Sequence, residues 1–138
     1  MYPEHLVTPM KAELTTAGFE DLTNPEMVDT AIQNNDGTVF LVINSVCGCA
    51  AANARPGAKM AVQYAEKKPN KLVTVFAGFD QSAVARARQH TLPYPPSSPS
   101  MALFKNGELV YFMERHQIEG VSAQAIAKEL MTAFDEFC

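Results

Sequence analysis

Two runs in this chain are apolar without alternation and rich in β-branched residues: Thr38-Val39-Phe40-Leu41-Val42-Ile43-Asn44 and Leu72-Val73-Thr74-Val75-Phe76-Ala77-Gly78-Phe79. A strand with one wetted face alternates polar and apolar side chains, so an unbroken run marks a strand covered on both faces. Between the runs lies an alanine-rich segment through Lys67, carrying Met60, Ala61, Tyr64 and Ala65, that reads as a helix. Pro56 falls inside it and is expected to bend it. A further helix is predicted from about Ser82 to His90, which makes the order βαβα with parallel strands and the class α/β.

The remaining segments fit around this unit. Leu6, Met10 and Leu14 recur every four residues, with Thr8-Pro9 as the predicted helix start and Gly18 as its exit. Asn24-Pro25-Glu26 combines an N-cap, a proline at the first helical position and an acid in the first turn, ahead of Met27, Val28, Ala31 and Ile32. That second helix should end at the turn-rich Asn34-Asn35-Asp36-Gly37. The loop from Leu92 to Ser98 holds three prolines and is expected to be irregular. Met101 to Lys105 and Glu108 to Met113 flank Asn106-Gly107, a strong hairpin signal. A last helix is predicted from about Ser122 to Phe137. The result is a βαβαββα core at residues 38–138, with residues 1–37 as a helical extension packed on it, all within a single domain of 138 residues.

Composition narrows the function. A net charge of -4 provides no extended basic surface, which argues against nucleic acid as a partner. No apolar stretch approaches a membrane span, and Met1-Tyr2-Pro3-Glu4-His5 is not a basic lead into an apolar run, so a soluble cytosolic protein is expected. Three cysteines are too few for a secreted disulfide framework, and two of them, Cys47 and Cys49, stand one residue apart.

That pair falls where a buried strand ends and a helix begins. A redox cysteine reacts as thiolate, and the free N–H groups of a helix N-terminus favour one. Cys47 should sit at the exposed lip as nucleophile, with Cys49 a turn deeper as resolver. Arg55, about two turns on, would act weakly and at longer range. Asn44 and Ser45 could hydrogen-bond the thiolate or simply cap the helix. A disulfide across two residues is expected to hold its Cα atoms near the upper limit of separation, with Gly48 supplying unusual dihedrals and the closed ring strained. The competing reading is a zinc or iron–sulfur site, which would need further ligands from Cys138, His90, His116 or a second chain. Cys138, at the last position, is either an exposed bystander or a third exchange thiol.

Ser98-Pro99-Ser100-Met101-Ala102-Leu103-Phe104-Lys105-Asn106-Gly107 resembles the thioredoxin segment in which a cis-proline opens a strand and a Phe-Lys-Asn-Gly turn closes it. The resemblance implies a thioredoxin-like α/β fold: a central mixed sheet flanked by helices, here with additional N-terminal helices. It also implies that Ser98 and Pro99 bind the client, Pro99 in cis beside the attacking sulfur and Ser98 offering its backbone. Thioredoxins carry CxxC, whereas this chain carries CxC. Asn44-Ser45-Val46-Cys47-Gly48-Cys49-Ala50-Ala51, Ala54-Arg55-Pro56, Pro95 to Leu103, Arg115-His116-Gln117-Ile118-Glu119-Gly120 and Phe137-Cys138 are similar to the bacilliredoxin family. What that implies is removal of bacillithiol, or a similar low-molecular-weight thiol, from client proteins, with weak disulfide isomerase activity. Cys47 would attack and Cys49 resolve, no cofactor would be needed, and a separate reductase would recycle the pair.

Overall fold

The computed structural model describes residues 1–33 and 36–138. Asn34 and Asn35, half of the turn expected after the second helix, lie outside the described residues. The chain runs α1 (Glu4–Thr15), β1 (Glu20–Asp21), α2 (Pro25–Ile32), β2 (Thr38–Asn44), a π-helical turn (Ala50–Ala54), α3 (Arg55–Tyr64), β3 (Lys71–Phe76), α4 (Gln81–His90), β4 (Ser100–Lys105), β5 (Glu108–Met113), α5 (Arg115–Ile118) and α6 (Ala123–Phe137).

The sheet has five strands in the order β1-β3-β2-β4-β5. β3 pairs in parallel with both β1 and β2, while β4 pairs antiparallel with β2 and β5. All seven residues of β2 are buried, as an unbroken apolar run at the sheet centre requires. Successive side chains leave a strand on opposite faces, and β2 feeds two cores accordingly. Phe40 and Val42 join Leu14, Ala58, Ile126, Leu130 and Phe134 from α1, α3 and α6. Val39, Leu41 and Ile43 join Val28, Ile32, Val84 and Ala87 from α2 and α4. The expected mixed sheet between helical layers is therefore present.

Several local signals hold to the residue. The Asn24 side chain accepts the Met27 N–H at 2.9 Å, with Pro25 opening α2. Asn106 (φ 51°) and Gly107 (φ 83°) make the β4–β5 turn with two left-handed residues, which is why Asn-Gly is favoured there. Ser122 caps α6 through the Ala125 N–H at 3.1 Å.

Other expectations need correction. α1 starts at Glu4 after Pro3, and Pro9 lies inside the helix. Both Pro9 and His5 are exposed, so the carbonyl that Pro9 cannot serve is open to water. β3 stops at Phe76 rather than Phe79. Gly78 turns the chain at φ +81°, and the N–H groups of Phe79 and Asp80 fold back on the Phe76 carbonyl. The single bent helix after the cysteines is instead a π-turn, closed by the Arg55 N–H on the Ala50 carbonyl, that passes into α3 at Arg55-Pro56. Two elements were not expected. β1 is too short for any periodicity and exists by pairing Glu20 and Asp21 with Val73 and Thr74, so the leading segment adds an edge strand as well as helices. α5 is one turn, closed by a capping box between Glu114 and Gln117.

Candidate redox site

β2 ends at Asn44, and the next three residues carry the chain to the first helical turn at Gly48. Arg55 holds that corner from below. It is 1% exposed, and its Nη1 donates to Asn44 Oδ1 at 3.0 Å and to the Ser45 carbonyl at 2.8 Å. Its Nε lies 3.2 Å from Glu13 Oε1, close enough for an ion pair but without an aligned hydrogen bond. Asn44 Oδ1 also accepts the Ser45 N–H at 2.9 Å, and Asn44 Nδ2 donates to the Met10 carbonyl at 3.3 Å. Arg55 and Asn44 thus brace the loop instead of facing the sulfurs. Ser45 Oγ accepts the Cys47 N–H at 3.1 Å, a local turn that holds the chain just ahead of the helix.

Cys47 occupies the N-cap position. Its carbonyl accepts the N–H groups of Ala50 and Ala51, and its Sγ accepts the Cys49 N–H at 3.3 Å. One helix N–H, that of Cys49, therefore points at this sulfur at the start of the helix, an arrangement that favours negative charge on it. Cys47 is half-buried and Cys49 is 8% exposed, which matches the expected lip-and-floor asymmetry.

The two cysteines are joined in a disulfide whose Cα atoms lie 5.3 Å apart. That separation sits inside the ordinary range, not near its upper limit, because the helical turn already brings residues two apart this close. Gly48 correspondingly has no positive φ, and a Cβ placed on it would meet nothing within 4 Å. The special backbone role expected of Gly48 is absent; what the missing side chain leaves is open surface above the pair.

The sequence reading missed Arg115. It opens α5, and its Nη2 reaches Cys47 Sγ at 3.3 Å while Nη1 donates to the Ser98 carbonyl at 3.3 Å. Its Nε lies 3.4 Å from Glu119 Oε2, and the side chain is 43% exposed. The capping residues Glu114 and Gln117 were the available signal, since they mark a helical turn immediately after β5. The Ser98–Pro99 peptide is cis, with Pro99 buried and Ser98 half-buried beside Arg115.

Beside Cys47 opens a depression of about 300 Å³, walled by Tyr2, Gly78, Arg88, Ser98 and Arg115 and floored by Ser45 and Ala77. Tyr2 is anchored by its N–H on the Gly78 carbonyl at 3.1 Å. A Cβ on Gly78 would meet the Tyr2 ring, which would have to turn aside, and the positive φ at that position favours glycine in its own right.

The other candidates lie elsewhere. Cys138 is exposed and approaches Thr38, the first residue of β2, with desolvation as the main influence holding its thiol above the ordinary range. Cys47 follows the opposite end of that strand, about 20 Å away at the usual rise per residue. Cys138 thus does not lie beside the pair in this structure. His90 bonds Asp29 at 2.9 Å, and exposed His116 faces Glu114 at 3.7 Å. Among the described residues no group of three or more potential metal ligands converges.

A cysteine pair at the helix start after the central strand, opposite a cis-proline loop, defines a thioredoxin-fold redox protein suited to thiol–disulfide exchange. Solved thioredoxins share the fold at low identity. Oxidised thioredoxin from Plasmodium falciparum superposes with a TM-score of 0.58 at 16% identity, covering 85% of this chain and 98% of that one. Oxidised mitochondrial thioredoxin 3 from Saccharomyces cerevisiae gives 0.59 at 15%, covering 91% and 99%. The particular group is narrower: the chain belongs to the bacilliredoxin family, whose family model, described as disulphide isomerase, matches residues 2–138. A bacilliredoxin of Cytophaga hutchinsonii is 58% identical over 136 residues, 99% of each chain. One from Bacillus cereus is 51% identical over 137 residues, 99% of this chain and 95% of that one. No helix among the described residues is long and apolar enough to cross a membrane.

Proposed function

We propose that this protein removes a low-molecular-weight thiol, bacillithiol or a close analogue, from mixed disulfides on client proteins. The Cys47 thiolate attacks the sulfur of the cap. A Cys47–cap disulfide forms, the cap–client bond breaks, and the client leaves as thiolate. Cys49, once deprotonated, attacks Cys47 Sγ, closes the Cys47–Cys49 disulfide and expels the cap as a second thiolate. The client disulfide has then been reduced at the expense of the two cysteines, which a separate reductase must restore. Ser98, ahead of buried Pro99, borders the sulfur and serves as the docking edge for an extended client.

The observation that carries this reading is the disulfide whose more exposed cysteine, Cys47, has its sulfur approached by both the Cys49 N–H and the Arg115 guanidinium. Both favour the thiolate that exchange requires. The test incubates the Cys49→Ser variant with a bacillithiol-capped client and reads intact masses. Transfer of the bacillithiol mass onto Cys47 supports the reading, and a Cys47→Ser variant with undiminished cap removal would refute it. The family model's description favours a second activity, isomerisation, which begins with the same attack on a disulfide within a client. Refolding of a scrambled client measures it separately.

A further inference from the structure

Arg88, near the end of α4, is half-buried, and its Nε is buried without a hydrogen-bond partner among the described residues. It forms no ion pair there either, unlike its helix neighbour Arg86, which bonds Asp29 at 2.7 Å. Desolvation alone acts on Arg88, against its charge. A half-buried cation with one N–H cut off from both water and partners gains from a nearby anion. Arg88 and Arg115 both line the depression beside Cys47, and no acidic residue does. Two guanidiniums beside an accessible sulfur, in a space of about 300 Å³, suit a small anion and not a folded surface.

Resting on the cap-removal reading, we propose that Arg88 makes this depression an anion-recognition subsite for the cap and is the residue that sets a preference for anionic over neutral small thiols. The subsite also decides which sulfur is attacked. With its anionic end held beside Cys47, the cap presents its own sulfur to the Cys47 thiolate, so the new disulfide forms to the cap and the client is the leaving group. Attack on the client's sulfur would instead leave the protein joined to its client. Arg88 is the charge reader, because Arg115 already contacts Cys47 Sγ and the Ser98 carbonyl.

The test uses one client capped in turn with mercaptosuccinate (two carboxylates), 2-mercaptoethanol (neutral) and cysteamine (cationic). Pre-reduced protein removes each cap in a single turnover followed by mass, and each rate is divided by that of dithiothreitol, which has no subsite. The wild type should prefer mercaptosuccinate over 2-mercaptoethanol by about tenfold, the scale of one charge-assisted hydrogen bond at a partly open site. Arg88→Gln should erase most of that ratio and Arg88→Lys restore part of it. If Arg88 variants misfold, raising salt from about 0.05 to about 0.5 M should lower the same ratio in the wild type, since screening acts on the charged cap alone. Equal normalised rates for the three caps in the wild type, or a ratio unmoved by Arg88→Gln, overturn the subsite while leaving cap removal standing. Failure to remove any cap overturns the reading beneath it.

Discussion

Arg115→Gln isolates the charge that the structure sets against Cys47. The Nη2–Sγ distance is 3.3 Å and the Arg115 side chain is 43% exposed. Two unit charges near this distance interact by about 1 kcal/mol in water and about 4 kcal/mol at a typical protein surface, and the exposure of Arg115 places the pair toward the lower figure. Taking about 1.4 kcal/mol, the thiolate fraction below its midpoint falls about tenfold in the variant. The less stabilised thiolate is more nucleophilic. With a Brønsted coefficient of about 0.4–0.5, tenfold in basicity returns about threefold in intrinsic rate. Where the pH lies below both midpoints, the net expectation is exchange about threefold slower than wild type. At a pH where both sulfurs are fully ionised, the order inverts and the variant is about threefold faster. The assay is stopped-flow reaction of the reduced Cys49→Ser, Cys138→Ser protein, with and without Arg115→Gln, toward a neutral dipyridyl disulfide whose own charge cannot respond to the guanidinium. A rate ratio that stays below one at both pH values would show that Arg115 shapes the loop through Ser98 and does not act on the sulfur.

Other substitutions probe the frame. Gly57→Ala should destabilise by about 1–3 kcal/mol in urea unfolding, because its Cβ would overlap the Ile126 side chain where α3 meets α6. Gly48→Ala faces open space and should leave Tm equal or higher; a clear fall would reinstate a backbone role for that glycine. Arg55→Leu should lose about 2–4 kcal/mol, since it strips the charged donor from Asn44 Oδ1 and the Ser45 carbonyl in a buried corner, and stability within error of wild type would contradict the bracing role. Arg86 first, and then His90, hold the Asp29 carboxyl below its usual range. A carboxyl depressed on folding contributes stability above its unfolded value, near pH 4, and loses it as pH falls through the folded value. The stability gap between wild type and Asp29→Asn should therefore close on acidification below about pH 4, and a gap independent of pH would refute the linkage.

The features written locally were readable without the fold. β2 needed only its unbroken apolar run, α2 its Asn-Pro-Glu start, the hairpin its Asn-Gly, and the redox pair its position after a buried strand. In each case residues within a few positions of one another set the backbone conformation, so near neighbours in sequence carry the information. Tertiary structure decided the rest. β1 is a strand only because β3 offers a free edge, and Pro9 is tolerated in α1 because that face of the helix meets water. Arg55 is distant in sequence from Asn44 but bonds it in space, whereas Cys138 and Cys47 are separated by the length of a strand. Arg115 lies 68 positions from Cys47, and Arg88 reaches the same depression from another helix. The cysteine pair at the end of β2 was therefore legible in the chain. The charges around it were not, because they converge only when the helices and the Ser98–Pro99 loop close over the end of the sheet, and a field that falls off with distance leaves no periodic trace in a sequence.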